Sequence, residues 1–140
     1  MWVYEQVSGK LFARCGALLA QGYSGNGVGK NNPSMQAIKG VGPIPIGTYT
    51  IQAPQDNTGH GPFAMRLTQD DTNQMFGRSG FMMHGDNIHA PGTASEGCII
   101  MPRDARERVW NSGDNRLEVI YGEDDVNNNA FLVQQAAAGK

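Results

Sequence analysis

The chain has 140 residues, 39% of them hydrophobic and 17% charged, with a formal net charge of -2. One domain of that length buries a core without disulfide or metal staples, and this composition is too apolar for a disordered chain. The near-neutral balance offers no basic surface, which argues against nucleic-acid binding.

Nineteen glycines, seven prolines and few long periodic stretches suit short strands joined by tight turns, a mostly β fold. The expectation is a single domain over residues 1–140, with the tail from about residue 122 peripheral. Two cysteines permit one bridge at most. Cys15, within Phe12-Ala13-Arg14-Cys15-Gly16-Ala17-Leu18-Leu19, reads as a small core residue; Cys98, among Ser, Glu and Gly, does not. A bridge between them would remove the sulfur as a nucleophile. No basic region precedes an apolar run at the N-terminus, and no apolar stretch reaches about 18 residues. A chain made in a reducing compartment, without cleaved leader or membrane insertion, is expected.

Along the chain, Trp2 and Tyr4 alternate with Val3, then Ser8-Gly9-Lys10 turns the chain into a second strand from Leu11, an N-terminal hairpin. Residues 17–21 continue that strand or form a helical turn. Residues 22–33 are a Gly- and Asn-rich loop, read equally as a fold over substrate or as a tolerated surface loop. Pro43 and Pro45 remove backbone donors, so residues 40–46 are a rigid turn leading into a strand over Thr48–Ile51. Residues 54–62 form a loop with His60, to which the sequence assigns no partner. Phe63, Met65 and Leu67 mark a half-buried strand. Phe81-Met82-Met83 forms the strand that delivers His84 to its end. Pro102 and Asp104 open a helix with Ala105 and Val109 on one face, stopped by Gly113. Leu117, Val119 and Tyr121 mark a closing strand, and residues 131–138 a short tail helix.

The chemistry concentrates between His84-Gly85-Asp86-Asn87 and Ser95-Glu96-Gly97-Cys98. Cys98 is a candidate nucleophile, and a nearby imidazole raises its thiolate share. His84 is suited to take that proton and return it to a leaving amine. Gly97 permits a sharp turn before Cys98 and lets the amides there face a developing oxyanion. Ser95 orients the imidazole, binds the substrate carbonyl or holds the turn; Asp86 is a candidate anchor for His84. A competing reading makes His84, Asp86, His89 and Cys98 metal ligands, although their spacing matches no specific metal motif.

His84-Gly85 followed by Ser95-Glu96-Gly97-Cys98 resembles the catalytic motif of the L,D-transpeptidases, the YkuD-like enzymes, and Gly42-Pro43-Ile44-Pro45-Ile46-Gly47-Thr48-Tyr49 resembles their T-P-x-G-x-Y/F segment. Trp2 and Tyr4, Gly22-Tyr23-Ser24-Gly25, Gly77-Arg78-Ser79 and Ala94-Ser95-Glu96-Gly97-Cys98-Ile99 are similar to a branch delivered by type VI secretion as antibacterial effectors. The resemblance implies a β-sandwich or barrel with one or two short helices, and attack on peptidoglycan stem peptides in a rival's periplasm. It further implies secretion machinery and a cognate immunity protein as partners, no cofactor, and a backbone carbonyl rather than Asp86 behind His84. The family's arginine soon after the cysteine is missing here, since Ile99 to Pro102 intervene before Arg103. Arg78, Arg103 or Arg106 would take its place, with Tyr23 and Asp86 as further substrate contacts. Cys98, His84, Ser95 and Gly97 are the expected catalytic set. A non-catalytic peptidoglycan-binding module and a protein endopeptidase are the rival readings.

Overall fold

Alternating burial builds the strands. In β1 (Trp2–Glu5) Trp2 and Tyr4 face inward; in β9 (Arg116–Ile120) Leu117 and Val119 do the same. Between them in sequence lie β2 (Lys10–Phe12), β3 (Leu18–Gln21), β4 (Tyr23–Ser24), β5 (Gly47–Ile51), β6 (Met65–Gln69), β7 (Met82–His84), β8 (Ile99–Ile100) and helix α1 (Arg103–Asn111). This computed structural model describes residues 1–122; the tail helix expected over residues 131–138 lies outside the described residues.

The strands form one sheet in the order β3-β2-β1-β9-β5-β6-β7-β8-β4. Its two ends, β3 and β4, are separated in the chain by Gly22 alone. An open sheet cannot place consecutive strands at opposite edges, so this one coils until its edges approach, a nearly closed barrel. Gly22 sits at the seam: its amide donates to the Gly9 carbonyl at 2.8 Å. A Cβ there would lie 1.7 Å from the Ile100 carbonyl oxygen, so no larger residue fits. The mostly β, barrel-like expectation holds, as does the N-terminal hairpin (β1–β2, antiparallel). Residues 18–21 are strand rather than helix.

The core fills the barrel with Tyr4, Leu11, Tyr49, Ile51, Met65, Met83, Ile99 and Leu117, and α1 adds Ala105 and Val109. Burial of such side chains is the main stabilising term. α1 begins one residue later than expected, with Pro102 capping it rather than occupying its first turn.

Cys15 corrects an expectation. It is exposed, in the turn between β2 and β3 that the Ala13 amide closes on the Ala17 carbonyl at 2.8 Å. Its apolar neighbours Phe12 and Leu18 belong to the flanking strands, so they do not bury the turn residue between them. Both cysteines are free.

Candidate active site

Parallel pairing of β7 with β8 places the two candidate residues. Met83 is opposite Ile99 and His84 opposite Ile100. Continued by one residue, that register sets Cys98 beside Met82, two positions from His84 on the same face, because side chains alternate along a strand. Both line one cavity of ≈ 450 Å³ with His60, Arg78, Phe81 and Glu96, within the ordinary range for ligand pockets. A second cavity, ≈ 610 Å³, adjoins it and is lined by Tyr23, His60, Gly85, Asp86, Arg103 and Arg106 among others. The larger cavity does not contain the sulfur, so size alone does not locate the chemistry.

His84 is 3% exposed. Its Nδ1 lies 2.8 Å from the Gly85 carbonyl oxygen, and a carbonyl only accepts. Nδ1 therefore carries the proton, leaving Nε2 as the basic nitrogen of the neutral ring. Nε2 is buried and has no hydrogen-bond partner. Burial is the largest cause holding the imidazolium below the ordinary histidine range; the Gly85 carbonyl opposes it, while His60 and Arg106 add repulsion. Burial also pushes the Cys98 thiol up, with the Met82 backbone hydrogen bond pulling the other way. At neutral pH the cavity is thus lined by a thiol and a neutral imidazole.

The loop carrying Cys98 is held by serines. Ser95 Oγ donates to the Cys98 carbonyl at 2.6 Å and accepts from the Gly25 and Gly97 amides at 2.8 and 3.0 Å. Of the roles open to Ser95, these bonds perform the turn-holding one. Ser24 Oγ donates to the Gly97 carbonyl at 2.8 Å and accepts from the Ile44 amide at 2.9 Å. Gly97 is needed for space and for its φ of +137°. A Cβ there would sit 2.6 Å from Arg78 Nη2 and 2.8 Å from the Phe81 ring. Of the amides around Gly97 expected to face an oxyanion, that of Gly97 itself is turned inward to Ser95. The Gly- and Asn-rich segment 22–33 is accordingly a cradle for this loop: Asn26 Nδ2 bridges the Gly40 and Ser95 carbonyls at 2.7 and 3.0 Å.

Asp86 does not anchor His84. Its carboxylate accepts from the Tyr23 hydroxyl at 2.6 Å and from the Asn87 and Gly92 amides, while Tyr23 Oη also accepts from the Ala94 amide at 2.9 Å. Tyr23 thereby ties the loop after His84 to the loop before Cys98; burial first, then Asp86, pushes its phenol up to about 12. Among the described residues, no group of three or more His, Cys, Asp or Glu side chains is placed to hold a metal ion.

The candidate arginines differ. Arg78, 4% exposed, donates to the carbonyls of Gln36, Pro43, Gly42 and Glu96, which engages four of its five N–H groups. Arg106 donates to Met101, Pro62 and Phe63 carbonyls. Arg103, half exposed, pairs with Glu107 at 2.8 Å at the rim of the larger cavity. His60, missed from the sequence, stacks on His84 with ring centroids 4.7 Å apart. No local signal announces a contact between residues brought together only by tertiary folding.

Residues 19–121, most of the chain, match the Tlde1 domain family. The chain belongs to that family. The Tlde1 domain is related to the YkuD-like L,D-transpeptidases, so membership points to enzymatic activity on peptidoglycan in general. No curated protein matches the chain.

The two thiols of this Tlde1 domain differ in access. Iodoacetamide at pH 7 is expected to label exposed Cys15 at least about tenfold faster than Cys98, whose thiol is half-buried and held protonated. Peptide mapping after timed labelling checks this, and faster labelling of Cys98 would contradict the thiol–imidazole ground state.

Proposed function

We propose that this Tlde1 domain is a cysteine-dependent L,D-carboxypeptidase and L,D-transpeptidase acting on tetrapeptide stems of peptidoglycan. The observation that carries the reading is that His84, its tautomer set by the Gly85 carbonyl and its Nε2 left unpartnered, lines the same cavity as Cys98.

As Cys98 Sγ attacks the carbonyl carbon of the third stem residue, its proton passes to His84 Nε2. The tetrahedral adduct collapses, the bond to the terminal D-alanine nitrogen breaks, and that nitrogen takes the proton back from His84. A thioester remains. Water, deprotonated by His84, hydrolyses it to a tripeptide stem and regenerates the thiol; a D-amino acid or second stem in place of water gives exchange or a crosslink. Arg103 is the most exposed of the three candidate cations and sits at the rim of the adjoining cavity, where it serves as the contact for a stem carboxylate.

On this reading the protein is an antibacterial effector delivered by a type VI secretion system into a target periplasm, countered by an immunity protein. Support for that part is the motif resemblance alone. The test is mass spectrometry of purified muropeptides after incubation: tetrapeptide is converted to tripeptide by the wild type and not by Cys98→Ala. Expression of the wild type in the periplasm, but not of Cys98→Ala, is expected to lyse or arrest cells. Binding to muropeptides without conversion would leave the non-catalytic module as the better reading.

A further inference from the structure

His60 lies outside every motif that points to the Cys98 chemistry. It occupies the tip of Gly59-His60-Gly61, where φ values of +90° and +84° at the two glycines turn the backbone sharply. Two contacts secure this turn. The His60 amide donates to Thr58 Oγ1 at 3.2 Å, and Arg106 Nη1 donates to the Pro62 and Phe63 carbonyls at 2.9 and 2.8 Å. The same guanidinium lies against Gly85, where a Cβ would approach its Nη2 to 2.9 Å. One buried side chain of α1 therefore sets the loop carrying His60 and the residue after His84 against each other.

The outcome is a ring-on-ring contact, with centroids 4.7 Å apart and planes inclined by 29°. His60 is exposed on its outer side while His84 is 3% exposed, and His60 lines both cavities. The bond from Nδ1 to the Gly85 carbonyl leaves the His84 ring able to tilt about that bond. A flat ring against its face removes the tilt.

We propose that His60 is a positioning residue for the His84–Cys98 pair: its stacked ring fixes the plane of the His84 imidazole, so that Nε2 stays in the Cys98 cavity, and screens that imidazole from water. The proposal rests on the reading of Cys98 as nucleophile and His84 as its base. Three charged or titratable groups act on His84: His60 from its loop, Arg106 from α1 and Asp86 from the following loop. His60 and Arg106 disfavour the imidazolium and Asp86 favours it. Removing the His60 ring takes away both screening and repulsion, so His84 becomes easier to protonate; a phenyl ring restores the screening but not the repulsion.

The experiment uses the full chain carrying Cys15→Ser, alone and with His60→Ala or His60→Phe. His84 is titrated by its ring NMR signals, Cys98 alkylation by iodoacetamide is followed against pH, and kcat and KM are measured on tetrapeptide muropeptides. With His60→Ala, kcat is expected to fall about tenfold with KM within about twofold, less than the ~10²-fold that a 1 Å misplacement costs. The His84 titration and the acid limb of alkylation both move up toward the ordinary histidine value of about 6.5. With His60→Phe, kcat stays within about threefold of the parent, a retention that only a ring-stacking role provides, and the titration falls between the other two. An unmoved His84 titration in His60→Ala, or equal impairment by Ala and Phe, overturns the proposal. If the parent converts no muropeptide, the functional reading fails by itself; the NMR titration and the alkylation profile then still decide whether His60 governs His84.

Discussion

Replacement of Cys98 by serine is expected to lower tetrapeptide-to-tripeptide conversion at least about 10³-fold while leaving the fold intact. Sulfur and oxygen differ little in size here, and the Ser95 and Ser24 bonds that hold this loop go to backbone atoms of residues 97 and 98. The loss is therefore chemical. Burial already raises the Cys98 thiol, so even the sulfur depends on His84 to take its proton during attack. A hydroxyl, far less acidic, asks more of the same base. His84→Gln is expected to cost about 10²–10⁴-fold, the usual range for a general base. A serine variant with more than a tenth of wild-type conversion would remove Cys98 from the reaction.

The same ground state fixes the pH profile. His84 accepts a proton only when neutral, and its folded-state pKa lies below the ordinary 6.5. Activity therefore holds across neutral pH and falls only below 6.5, as protons occupy Nε2. The thiol ionises by itself only above its ordinary 9.0, so alkylation of Cys98 by iodoacetamide continues to rise in that alkaline range. An acid limb of kcat/KM above pH 6.5 would show the imidazole to be better solvated or better paired than the fold makes it.

The parts of this arrangement readable from sequence are those set by local pattern. Alternation in Trp2–Glu5 and Arg116–Ile120 marks strands because each buries every second side chain. His84-Gly85 and Ser95-Glu96-Gly97-Cys98 were legible as a pair from their motif, whereas the parallel pairing of β7 with β8 that places them was not. What local pattern does not encode is which distant backbone a side chain meets. The parallel pairing of β1 with β9 joins the two ends of the described fold, and no neighbouring residue signals it. His60 was invisible for the same reason: its partner His84 reaches it only once Arg106 draws their loops together. The apolar neighbours of Cys15 suggest burial, whereas Gly16, at a φ of +91°, is the turn signal that keeps it on the surface. Asp86 next to His84 suggested an anchor, yet the chain turns so that its carboxylate meets Tyr23.

Arg78→Met is expected to destabilise the protein by about 3–5 kcal/mol. Methionine keeps the apolar stem over Phe81, whose ring centre lies 5.1 Å from the guanidinium carbon, and removes the donors. The carbonyls of Gln36, Gly42, Pro43 and Glu96 then lose bonds of 2.6, 3.0, 2.9 and 3.1 Å in a site where water reaches them poorly. For a domain of this size the loss corresponds to a fall of about 10–15 °C in Tm by calorimetry. Arg78→Lys should fall between, because one ammonium cannot span acceptors on both sides of a planar fork. Glu96 is two residues from Cys98, so the released loop also misplaces the sulfur, and kcat below the lowered Tm is expected to drop by up to about 10²-fold. A substrate-binding role for Arg78 makes the opposite pattern: KM rises while melting is unchanged. Wild-type melting in Arg78→Met would therefore return that guanidinium to the stem peptide and leave the residue 36–43 turn to be held by other contacts.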